Sequence, residues 1–393
     1  MIFELATAGR VVVGPGARAG VARSVVALGA RAALLVTGRK PDRAATLGAE
    51  LGAAGVDVAW FAVADEPSVE VVSAGVRASA EARADVVIAV GGGSALDAGK
   101  AIAVLATNPG EVVDYLEVVG QARPLTAPGL PFIAIPTTAG TGSEVTRNAV
   151  LSVPAARVKA SLRSPLMLPR LAVIDPDLLA GVPPSVVASS GLDALSQVIE
   201  PFLSIRANPI TDALARDGIA RSARTLRRAY EAGLGGRDEA AAAAREDLAL
   251  ASLCGGLCLA NAGLGAVHGF AAPAGGMFGA PHGAVCAALL APVLDVNLRA
   301  LRARAPAHAA LGRMRELAAL LTGASASDVT AEDGIAFVAA LARALAVPGL
   351  GSHGMTRADL GPLVEKAKLA SSMKGNPLPL TDQELTEIAE RAL

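Results

Sequence analysis

Asp85-Val86-Val87-Ile88-Ala89-Val90 runs directly into Gly91-Gly92-Gly93-Ser94-Ala95-Leu96-Asp97-Ala98-Gly99-Lys100. The first part is apolar and rich in β-branched residues, as a strand covered on both faces must be. Three glycines end it, and a helical pattern follows. Backbone without Cβ atoms can approach a phosphate closely, and the first turn of a helix offers unpaired N–H groups at its positive end. The spacing is neither GxGxxG nor the Walker pattern. The competing use of the same residues is a tight strand-to-helix turn, with Ser94 capping the helix and Asp97 completing a capping box.

Runs of the same kind lie on either side. Val11–Val13 reads as an edge strand closed by Gly14-Pro15-Gly16, and Ala32–Thr37 as a buried strand. Asp57–Ala62, Pro131–Ile135 and Leu171–Ile174 follow, most of them separated by helical stretches. This alternation predicts an α/β amino-terminal domain with a Rossmann-like parallel sheet covered on both faces. Ligands of such sheets bind beyond the carboxyl ends of the strands. After about Asp175 strand-like runs vanish, and Asp238–Cys258 and Arg299–Leu321 carry helical periodicity. The expected division is an α/β domain over 1–178 and an all-α domain over 179–393, with the boundary among the prolines of Pro176–Pro184.

The 393 residues are enough for two or three domains. Hydrophobic residues make up 52% and charged ones 18%, which excludes intrinsic disorder. A net charge of −1 and only 3% aromatics argue against a nucleic-acid partner. Cys254, Cys258 and Cys286 are an odd set that reads as reduced and intracellular, and the first residues carry no secretory pattern. A cytoplasmic location is therefore expected. The stretch from Leu248 to Leu294 lacks any Asp, Glu, Lys or Arg. Its glycines, prolines and histidines mark it as a buried protein centre rather than a membrane hairpin.

Two further segments could carry chemistry. Pro136-Thr137-Thr138-Ala139-Gly140-Thr141-Gly142-Ser143-Glu144-Val145-Thr146 follows the PFIAI run, and its small hydroxyl residues suit a close polar cleft. Ser189-Ser190-Gly191-Leu192-Asp193-Ala194-Leu195-Ser196-Gln197 reads as a serine-capped helix start, with Asp193 and Gln197 on one face. Asp193 is then either a first-turn acid on the helix dipole or a ligand. Of four histidines, His268 and His282 lie in the uncharged stretch, each followed by glycine. With Asp193 they suit a divalent metal held by Asp/His/His with an open position. Cys254 and Cys258 are one helical turn apart and read as core packing.

Taken together, GGGSALDAGK, IPTTAGTGSEVT, SGLDAL and the paired AVHG and APHG segments resemble the iron-containing (group III) alcohol dehydrogenase family, in family order and over essentially the whole chain. The resemblance implies a dehydroquinate synthase-like fold, with metal and nicotinamide in a cleft between an α/β and a helical domain. It implies NAD or NADP as cofactor and Fe²⁺ or Zn²⁺ as metal. Gly92, Gly93 and Ser94 would hold the pyrophosphate, and Thr137, Thr138, Thr141, Thr146 and Lys159 the rest of the dinucleotide. Gly38, Asp97 and Asn148 are counted with them. Asp193, His268 and His282 match three metal ligands and are the expected catalytic centre. Gln197 stands where many members carry a fourth, histidine ligand, and Ala272 replaces another histidine. Glycerol dehydrogenases resemble the chain in using an Asp/His/His zinc site, whereas maleylacetate reductases share the fold without needing metal. A homodimer is the expected assembly.

The expected reaction interconverts a small alcohol and its aldehyde or ketone, with a water chain or cofactor hydroxyl as proton route. The alternative is a metal-independent oxo-acid reductase, in which Arg163 or Lys159 binds a carboxylate. After Ala32–Thr37 comes Gly38-Arg39-Lys40 without an acid, which favours NADP(H) over NAD(H).

Overall fold

A computed structural model describes residues 2–156 and 158–393. The chain forms two compact units, one from Ala6–Thr138 with Gly142–Ala180, the other chiefly from Ala139–Thr141 with Gly181–Leu393.

The first unit is an α/β layer structure. Its strands are β1 (Val11–Val13), β2 (Ala32–Thr37), β3 (Asp57–Ala62), β4 (Val86–Gly91), β5 (Phe132–Pro136), β6 (Asn148–Val153), β7 (Val158–Arg163) and β8 (Leu171–Ile174). Helices α1 (Val21–Ala27), α2 (Asp42–Ala53), α3 (Val69–Glu81) and α4 (Gly93–Leu105) connect the first five. Six strands make one sheet in the order β1-β8-β5-β4-β2-β3, every pair parallel. Apolar clusters lie on both faces: Leu34, Val36, Val87 and Ala89 on one, Leu35, Ile88, Ile133 and Ile135 on the other. That two-sided burial is why β2 and β4 read as unbroken apolar runs. Chain connections change direction between β2 and β4, so the carboxyl ends of β2, β4 and β5 form the sheet's ligand edge.

Sequence reading put the β4 and β5 runs one residue early, because Gly91 and Pro136 still pair across the sheet. It also missed the antiparallel hairpin β6–β7. The β6 pattern alternates half-buried and buried residues, the sign of a strand with one face in the core.

The second unit is helical: α5 (Pro184–Leu203), α6 (Pro209–Ala232), α7 (Glu239–Ala262), α8 (Ala266–Phe278), α9 (His282–Arg304), α10 (Ala310–Thr322), α11 (Ala331–Ala344), α12 (Leu360–Leu369) and α13 (Asp382–Arg391). Side-chain caps fix several starts, with Asn208 and Thr211 boxing α6 and Asp238 accepting from Ala241 N on α7. The Arg299–Leu321 segment is two helices, broken between Arg304 and Ala310 where Pro306 cannot continue the ladder. The uncharged stretch from Leu248 to Leu294 forms the end of α7, α8 and the first half of α9. Helix α9 is long and apolar enough to span a membrane, yet most of it is buried against its neighbours.

Candidate active site

Helix α5 begins at Pro184, with Ser189 and Ser190 inside it rather than at its cap. Their hydroxyls donate to the Val186 carbonyl, the back-bonding that lets serine sit within a helix. Asp193 is therefore no first-turn acid; it lies mid-helix and almost fully buried. Glu200, two turns on, shares its face and is buried too.

Three helices bring the donors together. His268 lies on the first turn of α8, and His282 opens α9 with Cys286 one turn later. One ligand atom each from Asp193, His268, His282 and Cys286 lies within 4.8 Å of the others. Asp193 Oδ1 is 3.3 Å from His268 Nε2 and 3.8 Å from His282 Nε2. Asp193, His268 and Cys286 are buried, while the His282 side chain is 36% exposed and marks the open side of the cluster.

Sequence reasoning did not single out Glu200. Its Oε2 lies 2.6 Å from His268 Nδ1, and its Oε1 accepts the Val267 amide at 2.7 Å. A carboxylate at Nδ1 puts the neutral imidazole's proton there and leaves Nε2 with a bare lone pair facing Asp193. Burial opposes the charge on Asp193 most strongly, yet His282, His268 and the Gln197 amide together hold its carboxyl below the usual range. Burial likewise works against charge on both imidazoles, but Cys286 and Asp193 raise their basicity, that of His268 furthest. Donors this concentrated, with no lysine or arginine paired to them among the described residues, are chemically suited to a divalent ion.

Gln197 is buried beside them in a different posture. Its amide hydrogen-bonds Asp193, while its Oε1 turns toward Gly255 and has no partner among the described residues. Phe270 is fully buried core. Cys254 and Cys258 are buried as well, with burial raising the Cys254 thiol to about 12.

In the α/β unit the ligand edge gathers Gly38, Gly92, Gly93, Ser94, Thr137 and Thr138 at the ends of β2, β4 and β5. Helix α4 has Gly92 as N-cap and no side-chain cap, so Ser94 lies inside the first turn and the capping box with Asp97 does not form. A Cβ on Gly91 would fall 2.6 Å from Ala95 Cβ and 3.3 Å from Gly38 N, and one on Gly92 3.2 Å from Thr138 Oγ1. The close approach of these three loop ends, over an uncapped helix start, is a fitting cradle for a dinucleotide phosphate.

Other expected cofactor residues are engaged elsewhere. Asp97 accepts the Ser143 hydroxyl at 2.5 Å and the Val150 amide at 2.9 Å. The fully buried Lys100 Nζ donates to Ser143 O, Ser143 Oγ, Thr146 Oγ1 and Asn148 O at 2.7–3.0 Å. Thr146 and Asn148 thus belong to the lysine's anchorage of the hydroxyl-rich loop, a role the sequence reading did not assign. Lys159 pairs with Glu66 at 2.6 Å and Arg163 donates to Glu117 at 3.1 Å, so both bases suggested for a carboxylate substrate already face acids. Thr141 falls in the short segment grouped with the helical unit.

Residues 8–176 match the family described as "Iron-containing alcohol dehydrogenase", and residues 187–393 match "Fe-containing alcohol dehydrogenase family, C-terminal". The chain is 36% identical over 387 residues to a 1,3-propanediol dehydrogenase of Klebsiella pneumoniae, covering 96% of each. The solved structure of a 1,3-propanediol oxidoreductase superposes with a TM-score of 0.90 at 34% identity, covering both chains completely. That of a sulfoacetaldehyde reductase from Bifidobacterium kashiwanohense in complex with NAD+ gives 0.85 at 26% identity, over 100% of this chain and 99% of the other.

Proposed function

The chain belongs to the iron-containing alcohol dehydrogenase family, and from that premise we propose that it interconverts a small alcohol and its carbonyl at a divalent metal held by Asp193, His268 and His282. The observation that carries the reading is the convergence of one carboxylate and two imidazole nitrogens from three helices. When bound, such an ion supplies Lewis acidity to a carbonyl oxygen, and the family's nicotinamide cofactor supplies the hydride.

This chain's residues do the rest. Asp193 contributes the charge that a divalent ion requires, and two neutral imidazoles complete the set without cancelling it. Glu200 fixes His268 in the tautomer whose Nε2 can donate its lone pair. Burial of Asp193 and His268 keeps bulk water from the inner side, while half-exposed His282 lines the side a substrate can reach. In the other unit the Gly91–Gly93 turn and the α4 amino terminus would bind the pyrophosphate, with Gly38 and Thr138 lining the same cradle. Lys100 and Asp97 hold the neighbouring loop in shape.

Likeness to a 1,3-propanediol dehydrogenase along nearly the whole chain supports short primary alcohols and their aldehydes as substrates. NADP(H) is the preferred cofactor in this reading. No acid stands in Gly38-Arg39-Lys40 directly after β2, and the Arg39–Asp65 pair is solvent-exposed, hence weak enough for Arg39 to turn to a 2′-phosphate. Cytoplasmic location and homodimeric assembly belong to the same proposal, and sedimentation of the purified chain tests the second.

The test is turnover of an aldehyde and oxo-acid panel with NADPH and NADH, before and after chelation and re-addition of Zn²⁺ or Fe²⁺. Aldehyde reduction that disappears with chelator and returns with metal is expected. Full activity on an oxo-acid in chelator would refute the metal reading, and a strong NADH preference the cofactor choice.

A further inference from the structure

The position that holds a fourth histidine in many relatives is Gln197 here, and its amide points its hydrogens, not its oxygen, at Asp193. An amide so placed is a poor metal ligand. Cys286 stands in a better place. It is fully buried, one turn along α9 from His282, and its Sγ lies 3.7 Å from His268 Nε2 and 3.7 Å from His282 Nε2. The sulfur is thus equidistant from both imidazole nitrogens, as a donor sharing one ion with them must be. Donors around a single tetrahedral zinc, at ordinary Zn–O, Zn–N and Zn–S lengths, stand roughly 3.3–3.6 Å apart. Four of the six donor pairs stand at 3.3, 3.7, 3.7 and 3.8 Å, within about half an ångström of those values, and all six lie within 4.8 Å.

We infer that Cys286 is the fourth metal ligand of this chain, replacing the histidine lost at Gln197, and that its thiolate tunes the site toward zinc rather than iron. The inference rests on the metal reading above and adds the identity of the fourth donor. Binding breaks the S–H bond, the proton leaves to solvent, and the electron pair on Sγ goes to the ion. A carboxylate, two imidazoles and a thiolate are a borderline-soft set of the kind that suits zinc, whereas all-oxygen sites suit harder ions. A substrate oxygen would reach the ion from the open side, where the His282 side chain is partly exposed.

Cobalt(II) reports on this directly, because thiolate ligation gives it an intense charge-transfer band in the near ultraviolet. The full-length protein is stripped with chelator, loaded with Co²⁺ and scanned, and Zn²⁺ affinity is measured by competition with a chromogenic chelator. The wild type is expected to show the band. Cys286→Ser and Cys286→Ala should lose it and bind Zn²⁺ at least about tenfold more weakly, while Gln197→Ala keeps it. Tight Co²⁺ binding without the band, or Cys286→Ala indistinguishable from wild type, would overturn the role of Cys286 and leave the three-ligand site standing. Asp193→Ala and His268→Ala proteins that still bind Co²⁺ as the wild type does would overturn both readings.

Discussion

His268 Nδ1 and Glu200 Oε2 lie 2.6 Å apart, both buried, and this contact decides which imidazole nitrogen faces the donor cluster. Replacing Glu200 by Gln keeps the shape but permits the amide to donate to Nδ1, which moves the ring proton to Nε2. Metal affinity should fall by about 10- to 100-fold, read by chelator competition. Unchanged affinity would reduce the contact to packing.

Asp193→Ala removes the carboxylate of the set. Metal-stimulated kcat/KM should drop by at least about a hundredfold, since the ion loses the one carboxylate among its donors. Circular dichroism should stay unchanged, because a buried charge is being removed rather than introduced.

Gly92→Ala tests the cradle. Its new Cβ would sit 3.2 Å from Thr138 Oγ1, in the space between two loop ends. The dinucleotide Kd should rise about tenfold with little change in Tm, because φ at this position is −75° and suits alanine. An unaltered Kd would move the phosphate elsewhere.

Buried Glu144 has its carboxyl raised by burial from 4.5 to about 7. Between those values the folded chain binds a proton that the unfolded chain releases, so stability falls as pH rises through that window. Glu144→Gln should flatten the decline of Tm between pH of about 5 and about 7. Lys100, lowered by burial to about 8, acts in the opposite sense, with stability rising between about 8 and 10.5. Equal slopes in wild type and Glu144→Gln would refute the assignment.

The sequence displayed what depends on local pattern. β2, β3 and β8 were legible to the residue because their apolar runs end where the pairing ends. The Gly91–Gly93 turn was legible because glycine there answers a steric demand of the backbone. Asp193, His268 and His282 stood out as polar groups in apolar surroundings. Glu200 did not, although it lies seven residues after Asp193 on one helix, because its partner is 68 positions away. Cys286 carried a signal in its spacing from His282, but a cysteine in an apolar run looks like packing until α8 and α9 meet. Ser189 and Ser190 misled, since a serine pair caps a helix or bonds back within one equally well. The hairpin β6–β7 was obscured because Asn148, Ser152, Lys159, Ser161 and Arg163 interrupt the apolar residues of its two strands.

Donors on α5, α8 and α9 have a consequence for durability. Asp193 lies 75 positions from His268, and one ion joining α5 to the other two helices would act as a crosslink closing that long loop. Heat resistance should then track metal supply: at a free concentration a thousand times Kd, the linkage contributes about 4 kcal/mol to folding. A cell poor in the metal would then hold the same polypeptide in a softer, more protease-sensitive form.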